Sequence, residues 1–191
     1  MRLLPVFLLL LGHFILPGQS TEQKHITRKG FLFGTALGAS SLHLSGADLP
    51  TKTQAGLSFP NFKIGKMLGQ RTALLIYLPG TVYAYEGEGR RRDRGFEGII
   101  PSIQFWPLSR WWVLGGAGLG MDAPAFYDIK NADERKFYFG AGLLAATGYE
   151  IWQGRHSALD IQARVHYNSI DHPAGQLTGL GLSVAVGYNW Y

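Results

Sequence analysis

The stretch VHYNSIDHPAG brings His166, Ser169, Asp171 and His172 close together in the chain. A hydroxyl, an imidazole base and an orienting carboxylate are the parts needed for nucleophilic attack on an ester. The spacing is poor for that use. On a strand, residues i and i+3 leave opposite faces, so His166 and Ser169 meet only if the strand breaks between them. The plainer reading is an inward-facing histidine followed by a polar loop. His166, Ser169 and Asp171 therefore stand as weak catalytic candidates, and the chain reads as a non-enzyme.

Two other groups of residues carry charge chemistry. EGEGRRRDRG gathers Arg90, Arg91, Arg92 and Arg94, and guanidinium forks bind phosphate bidentately. Glu86, Glu88 and Asp93 beside them also fit an ordinary solvated loop. Lys63, Glu97, Glu150, Asp160 and Arg164 are spread along otherwise apolar segments and suit a network of mutually neutralising buried charges. His25, His43 and His156 are isolated, without metal-ligand spacing. No glycine-rich cradle follows a strand and opens a helix, so a nucleotide site has no support. No cofactor is expected.

The elements that would position these residues are strands. In SALDIQARVHYNSID, Leu159, Ile161, Ala163, Val165 and Tyr167 alternate with Asp160, Gln162, Arg164, His166 and Asn168. Period-two alternation marks a pleated strand with unlike faces. In TGLGLSVAVGYNWY the apolar face runs from Leu180 to Trp190, and the other is glycine, serine, alanine and asparagine. Similar segments recur at Phe31–Leu44, Gln54–Lys66, Thr72–Tyr85, Phe96–Trp106, Trp111–Met121 and Lys136–Ile151, and with Ser157–Asn168 and Thr178–Trp190 they make eight. Most reach the 9–11 residues a tilted membrane-crossing strand requires. The second mixes its faces, and Pro60, Pro79 and Pro101 fall where a ladder donor is lost, which predicts bulges.

Composition points the same way. There are 26 glycines, 13% aromatic residues and no cysteine among the 191 residues, so neither disulfides nor a lipidated cysteine enter. The formal charge of +5 is too small to argue for nucleic acid. MRLLPVFLLLLGHFILPGQS has a basic residue, a short apolar core and small residues at Gly18 and Ser20, which predicts a signal peptide over 1–20. Residues 21–30 form a short N-terminal segment and 31–191 the strand domain. Trp111–Met121 is too short and too rich in glycine to be a membrane helix.

Connections alternate in length. Met67–Arg71, Pro107–Arg110 and Trp152–His156 are short, whereas Ser45–Thr53, Glu86–Gly95, Asp122–Arg135 and Ser169–Leu177 are longer and more polar. Bacterial outer-membrane barrels have short periplasmic turns and long outer loops. All five tryptophans, Trp106, Trp111, Trp112, Trp152 and Trp190, lie near the short-turn ends. Tyr83, Tyr85, Phe96, Phe137, Tyr138 and Tyr167 lie near the other ends. Two aromatic belts are expected where a barrel meets the two membrane interfaces. On this reading the apolar face of each strand meets lipid, and Asp160, Arg164 and His166 turn inward. Eight strands leave little room for a water path, so the lumen reads as plugged.

The chain thus resembles the small eight-stranded outer-membrane β-barrel proteins of Gram-negative bacteria, and is broadly similar to the outer membrane protein A-type transmembrane domain. GFLFGTALGASSLHLS, IQFWPLSRWWVLGGAGLG, GAGLLAATGYEIWQGRHSALDIQARVHYN and VAVGYNWY resemble a set of small bacterial barrels. These carry an early glycine-rich strand, a "WP…W…GGLG" hairpin and a "GYE" strand-turn-strand. The resemblance implies an antiparallel up-and-down transmembrane barrel in the outer membrane, monomeric and in contact with its lipid. It also implies assembly through a C-terminal strand ending in an aromatic residue, here Tyr191, although the alternating apolar face ends on Trp190. Lipopolysaccharide presents phosphates at the level of Arg90, Arg91, Arg92 and Arg94. Lipid A deacylases resemble a different pattern, His-x-Ser on one strand face, where this chain has Asn168 two residues after His166. Barrels that transfer palmitoyl groups open on an amphipathic helix, and TEQKHITRKG is too short and polar for one. The expected role is structural or surface-interacting, with a lipid-modifying hydrolase, a narrow channel and a soluble ligand-binding barrel as the alternatives.

Overall fold

The computed structural model describes residues 26–46, 49–87, 90–125 and 136–191. The expected signal peptide at 1–20 and the beginning of the next segment lie outside the described residues. Nine strands follow in chain order: β1 (Phe31–Gly46), β2 (Leu49–Ser58), β3 (Asn61–Met67), β4 (Thr72–Gly87), β5 (Arg90–Phe105), β6 (Trp111–Pro124), β7 (Tyr138–Gln153), β8 (Ser157–His172) and β9 (Gly175–Trp190). Each pairs antiparallel with its neighbours. The ring closes where β1 pairs with β9, from Phe33↔Trp190 to Gly46↔Leu177.

Nine strands make eight staves. The other edge of β1 pairs with β2 over Gly38–Gly46 and with β3 over Phe31–Thr35. β2 and β3 are therefore one stave, interrupted at Phe59 and Pro60. Ser58 and Asn61 both face inward, although three residues apart. One extra residue has been inserted, as in a β-bulge, and it shifts the inward positions from even to odd numbers. This explains the mixed faces of the second segment. Proline has no N–H to give a ladder, yet Pro79 and Pro101 remain inside β4 and β5, paired with Asn61 and Ile76. Of the three prolines expected to make bulges, only Pro60 does so; beside Pro79 and Pro101 the β4–β5 and β5–β6 ladders skip pairs without a shift of register.

Most strands outrun the sequence expectation. The ladder of β4 and β5 continues to Gly87↔Arg90, so most of the loop expected over Glu86–Gly95 is strand. β8 and β9 meet in a two-residue connection between His172 and Gly175. Gly175 there has φ +116, a conformation that tight hairpins require and that residues with a Cβ avoid.

Burial alternates along the staves: exposed and buried residues follow one another without a break from Leu159 to Asn168 and again from Gly181 to Trp190. Leu37, Ile103, Leu143, Leu182, Val184 and Val186 stand on the outside, while Asp160, Gln162, Arg164 and His166 are enclosed. The interior holds two apolar clusters, one around Leu32, Leu75, Ile100 and Leu144 near the short turns. The other is formed by Leu42, Leu44, Tyr83, Phe96, Ile170 and Leu177 near the long connections. A wall of eight staves curves tightly and crowds its inner Cβ atoms, which accounts for many inward glycines. A Cβ on Gly38 would lie 2.0 Å from the Val184 carbonyl oxygen across the closing seam, whereas one on Gly69 would meet nothing within 4 Å. Gly38→Ala should therefore cost about 1–3 kcal/mol and lower the temperature at which the compact gel band of the folded protein is lost. Gly69→Ala should leave it unchanged.

Candidate functional site: a lumen filled in layers

At the short-turn end the centre is Glu150, carried inward by β7 and fully buried. Its Oε1 accepts from Trp106 Nε1 and Tyr191 Oη, both at 2.8 Å. Its Oε2 accepts from Arg28 and from Gln153 Nε2, both at 2.6 Å. Four donors nearly exhaust a carboxylate. Arg28 forms the ion pair from the segment before β1 and donates also to the Ser109 carbonyl at 2.8 Å. Its guanidinium lies 4.8 Å from the Trp106 ring centre and 5.4 Å from that of Tyr191. Ile26 packs on the inner cluster, and Thr27 N–H donates to the Arg155 carbonyl at 3.0 Å. Residues 26–30 thus cross the mouth as a stopper.

Above it, Asp160 accepts from Trp112 Nε1 at 2.9 Å, Asn189 Nδ2 at 2.8 Å and Gln162 Nε2 at 3.2 Å. The Lys63 ammonium is buried 4.3 Å from the centre of the Trp112 ring. Indole is the best aromatic partner for a cation, and this one is polarised by donating to a carboxylate. Next, Arg164 reaches across from β8 to the interrupted stave. It donates to Asn61 Oδ1 at 2.5 Å, Ser58 Oγ at 2.8 Å and the Gly80 carbonyl at 3.1 Å. The bulge spreads backbone and side-chain oxygens apart, and the guanidinium fork fills the space. Tyr77 Oη bonds both Asn61 and Gln162.

His166 follows, its ring 5.7 Å from that of Phe96 and pressed against Gly181. Neither of its nitrogens has a hydrogen-bond partner among the described residues. At the long-connection end Arg94 Nε donates to both Asp122 oxygens, at 3.1 and 3.0 Å, and Tyr83 Oη donates to the same carboxylate at 2.9 Å.

Four of the five residues expected in the lumen, Lys63, Glu150, Asp160 and Arg164, face inward. They do not pair with one another as the sequence suggested: Glu150 takes Arg28, and Arg164 takes neutral oxygens. Glu97 departs from expectation. It alternates with buried Phe96 and Gly98, and its carboxylate shares the outward face of Gly95. Only its carbonyl meets the inner layer, accepting from Asn168 at 2.7 Å. Arg94 also differs, being buried in the ion pair with Asp122 and not presented outward. The side chains of Arg90, Arg91 and Arg92 lie outside the described residues.

β8 runs unbroken through the catalytic candidates. His166 faces inward, Ser169 faces outward opposite Ala141 and Thr178, and Asp171 is exposed. The three are not brought together. His172 instead lies against Tyr138, the ring centres 4.2 Å apart and the planes tilted by 56°. Among the described residues no three His, Asp or Glu side chains converge as a metal site would require.

The aromatic belt is also corrected. Trp111, Trp152 and Trp190 are on the outer face, but Trp106 and Trp112 are fully buried as donors to Glu150 and Asp160. At the other end Phe137 and Tyr167 point out, while Tyr83 and Phe96 are in the upper cluster. Arg28, Asn61 and Asp122 went unforeseen. Replacing Glu150 by leucine leaves the Arg28 charge unpaired and the buried Trp106 and Tyr191 donors unsatisfied, which should cost about 3–5 kcal/mol. It should lower the conversion temperature of the folded band well below that of Glu150→Gln, which keeps an acceptor.

No family model and no curated protein matches the sequence. Solved structures do. Ail, the attachment invasion locus protein of Yersinia pestis, aligns with a TM-score of 0.57 at 12% identity, covering 85% of this chain and 99% of its own. Its complex with the heparin analogue sucrose octasulfate gives 0.55 at 14%, with 85% and 99% covered. Neisserial surface protein A gives 0.54 at 15%, with 84% and 96% covered. The ring of eight staves closed between β1 and β9 is the fold of the small outer-membrane β-barrel proteins.

Proposed function

We propose that this chain is an integral outer-membrane barrel without enzymatic activity that acts through its outer surface. The observation that carries this reading is the inverted wall. Side chains such as Leu37, Ile103, Leu143 and Val184 stand outside while three carboxylates, an ammonium and three guanidiniums are enclosed. In water such a continuous apolar band far exceeds what a soluble monomer exposes, and in lipid it is the ordinary arrangement. Short turns then face the periplasm and the long connections face outward.

The layered lumen supports a role with little or no conductance. Arg28 and Glu150 block one mouth, and Leu42, Phe96, Ile170 and Leu177 fill the other. Envelope integrity or surface recognition remains for the outer rim. Arg90, Arg91 and Arg92 are the proposed contacts for lipopolysaccharide phosphates; Arg94 is withdrawn because Asp122 already holds it. That Ail has been solved with a sulfated heparin analogue favours a polyanion for a barrel of this fold. Recognition by the assembly machinery falls to the outward face of β9, with Tyr188 and Trp190, since Tyr191 is turned into the lumen.

The protein in an outer-membrane fraction should migrate differently before and after boiling. Val165→Cys should resist a water-soluble maleimide in intact membranes and react once detergent is added. A soluble protein without a shift, or ready labelling in membranes, refutes the reading. In planar bilayers the purified barrel should give no stepwise conductance, and regular steps would restore the channel.

A further inference from the structure

The short-turn face carries charge and apolar surface that neither the lipid belt nor the plugged lumen uses. Leu68 and Leu108 are the most exposed large apolar side chains described, at 66% and 62%. Both sit at turn tips beyond the strands, so the lipid that accounts for the outer wall does not account for them. Around them stand Lys29, Arg71 and Arg155, exposed, with Arg110 half-buried. Lys66 adds a further charge on the outer side of β3. Among the described residues no exposed Asp or Glu side chain lies at this end. Glu150 and Asp160 are buried and already saturated by Arg28 and by neutral donors. Exposed Asp171 and half-buried Asp93 are at the opposite end.

The turns form one fixed platform. Trp106 N–H donates to the Arg71 carbonyl at 2.9 Å, Glu150 N–H to that of Arg110 at 2.8 Å, and Thr27 N–H to that of Arg155 at 3.0 Å. Arg71 and Arg110 occupy positions in phase with inward Ala73 and Trp112, so their charge gathers over the blocked mouth and not around the lipid collar. Arg110 leans toward the Glu150 and Ile151 carbonyls at 3.5 and 3.4 Å. A basic ring around apolar anchors is the complement of an acidic surface with an apolar notch.

We propose that this face docks an acidic protein in the periplasm, with Leu68 and Leu108 as anchors and Arg71, Arg110 and Arg155 steering. The orientation rests on the outer-membrane reading above. The test uses the full barrel in phosphatidylcholine nanodiscs, its folding first verified by the gel shift, and a fluorescent Glu-Glu-Leu repeat peptide as the probe. Binding should be saturable and weaken as salt rises. Arg71→Glu/Arg110→Glu/Arg155→Glu should abolish it. Leu68→Ser/Leu108→Ser should weaken it by about tenfold, as loss of two apolar anchors implies. Lys52→Glu, at the opposite end, should change nothing. A folded wild type that ignores the peptide, or a triple variant that binds it equally well, overturns the proposal and leaves the barrel reading standing. The proposal also fails if the charge reversals alter only the affinity for phosphatidylglycerol vesicles, because the face then serves lipid. Absence of the gel shift would instead strike the barrel reading itself.

Discussion

Closure of the sheet between β1 and β9 is the constraint on which the rest of the molecule depends. A wall facing hydrocarbon has no water to satisfy a free strand edge, so every backbone group must find its partner around the ring. Fourteen residues of β1, Phe33 to Gly46, are committed to β9 for this purpose. The interrupted second stave shows how strictly the rule holds. Where β2 diverges from β4, the Gln54 side-chain amide donates to the Ala84 carbonyl at 3.0 Å and accepts its N–H at 3.3 Å. It makes the pair of bonds that a strand residue would have made. At the bulge itself Arg164 supplies the Gly80 carbonyl. Two side chains thus complete a backbone wall.

A ring of eight is narrow, and this decides how charge is stored inside it. Burying an ion costs several kcal/mol unless hydrogen bonds and opposite charge compensate. The lumen offers three kinds of compensation in separate layers. Arg28 with Glu150, and Arg94 with Asp122, are ion pairs with extra donors attached. Asp160 is held by an indole, a carboxamide and another amide, while Lys63 rests on the same indole. Arg164 relies on neutral oxygens and on the face of the Tyr77 ring, 5.7 Å away. Distributing the charges this way avoids one large network whose failure at one member would strand the others. An apolar cluster of Leu42, Leu44, Tyr83, Phe96, Ile170 and Leu177 lies at the long-connection end of the stack.

Much of this was legible in the sequence wherever alternation was unbroken. β8 and β9 declared both their faces, and the outward set from Leu159 to Tyr167 stands as the pattern required. The errors came from reading position along a strand without its phase. Trp111 and Trp112 are neighbours and must face opposite ways, so both could never belong to one outer belt. Glu97 is odd in a stave whose inward residues are even, and Arg94 is even. Phase alone would have placed all of them. Other features were beyond local pattern. Arg28 meets Glu150 across 122 residues of chain, and no period links a polar N-terminal segment to a distant strand. The bulge at Phe59 and Pro60 was signalled only as confusion, because an inserted residue changes the phase midway through one stave.

The same closure determines where activity can reside. An enzyme needs a pocket in which nucleophile and base converge, and an unbroken strand sends His166 and Ser169 to opposite sides of a wall. A channel needs a continuous path, and on the reading proposed above the layered side chains close it. What the wall leaves free are its two ends, and these differ chemically. The outer end carries acids alongside an arginine-rich hairpin. The short-turn end keeps its two carboxylates buried and shows bases. Had Glu150 remained at the surface, it would have neutralised part of that basic face. Drawn into the mouth to hold Arg28, it leaves Arg71, Arg110 and Arg155 unscreened. The contact that seals the lumen therefore also sets the charge of the surface beneath it.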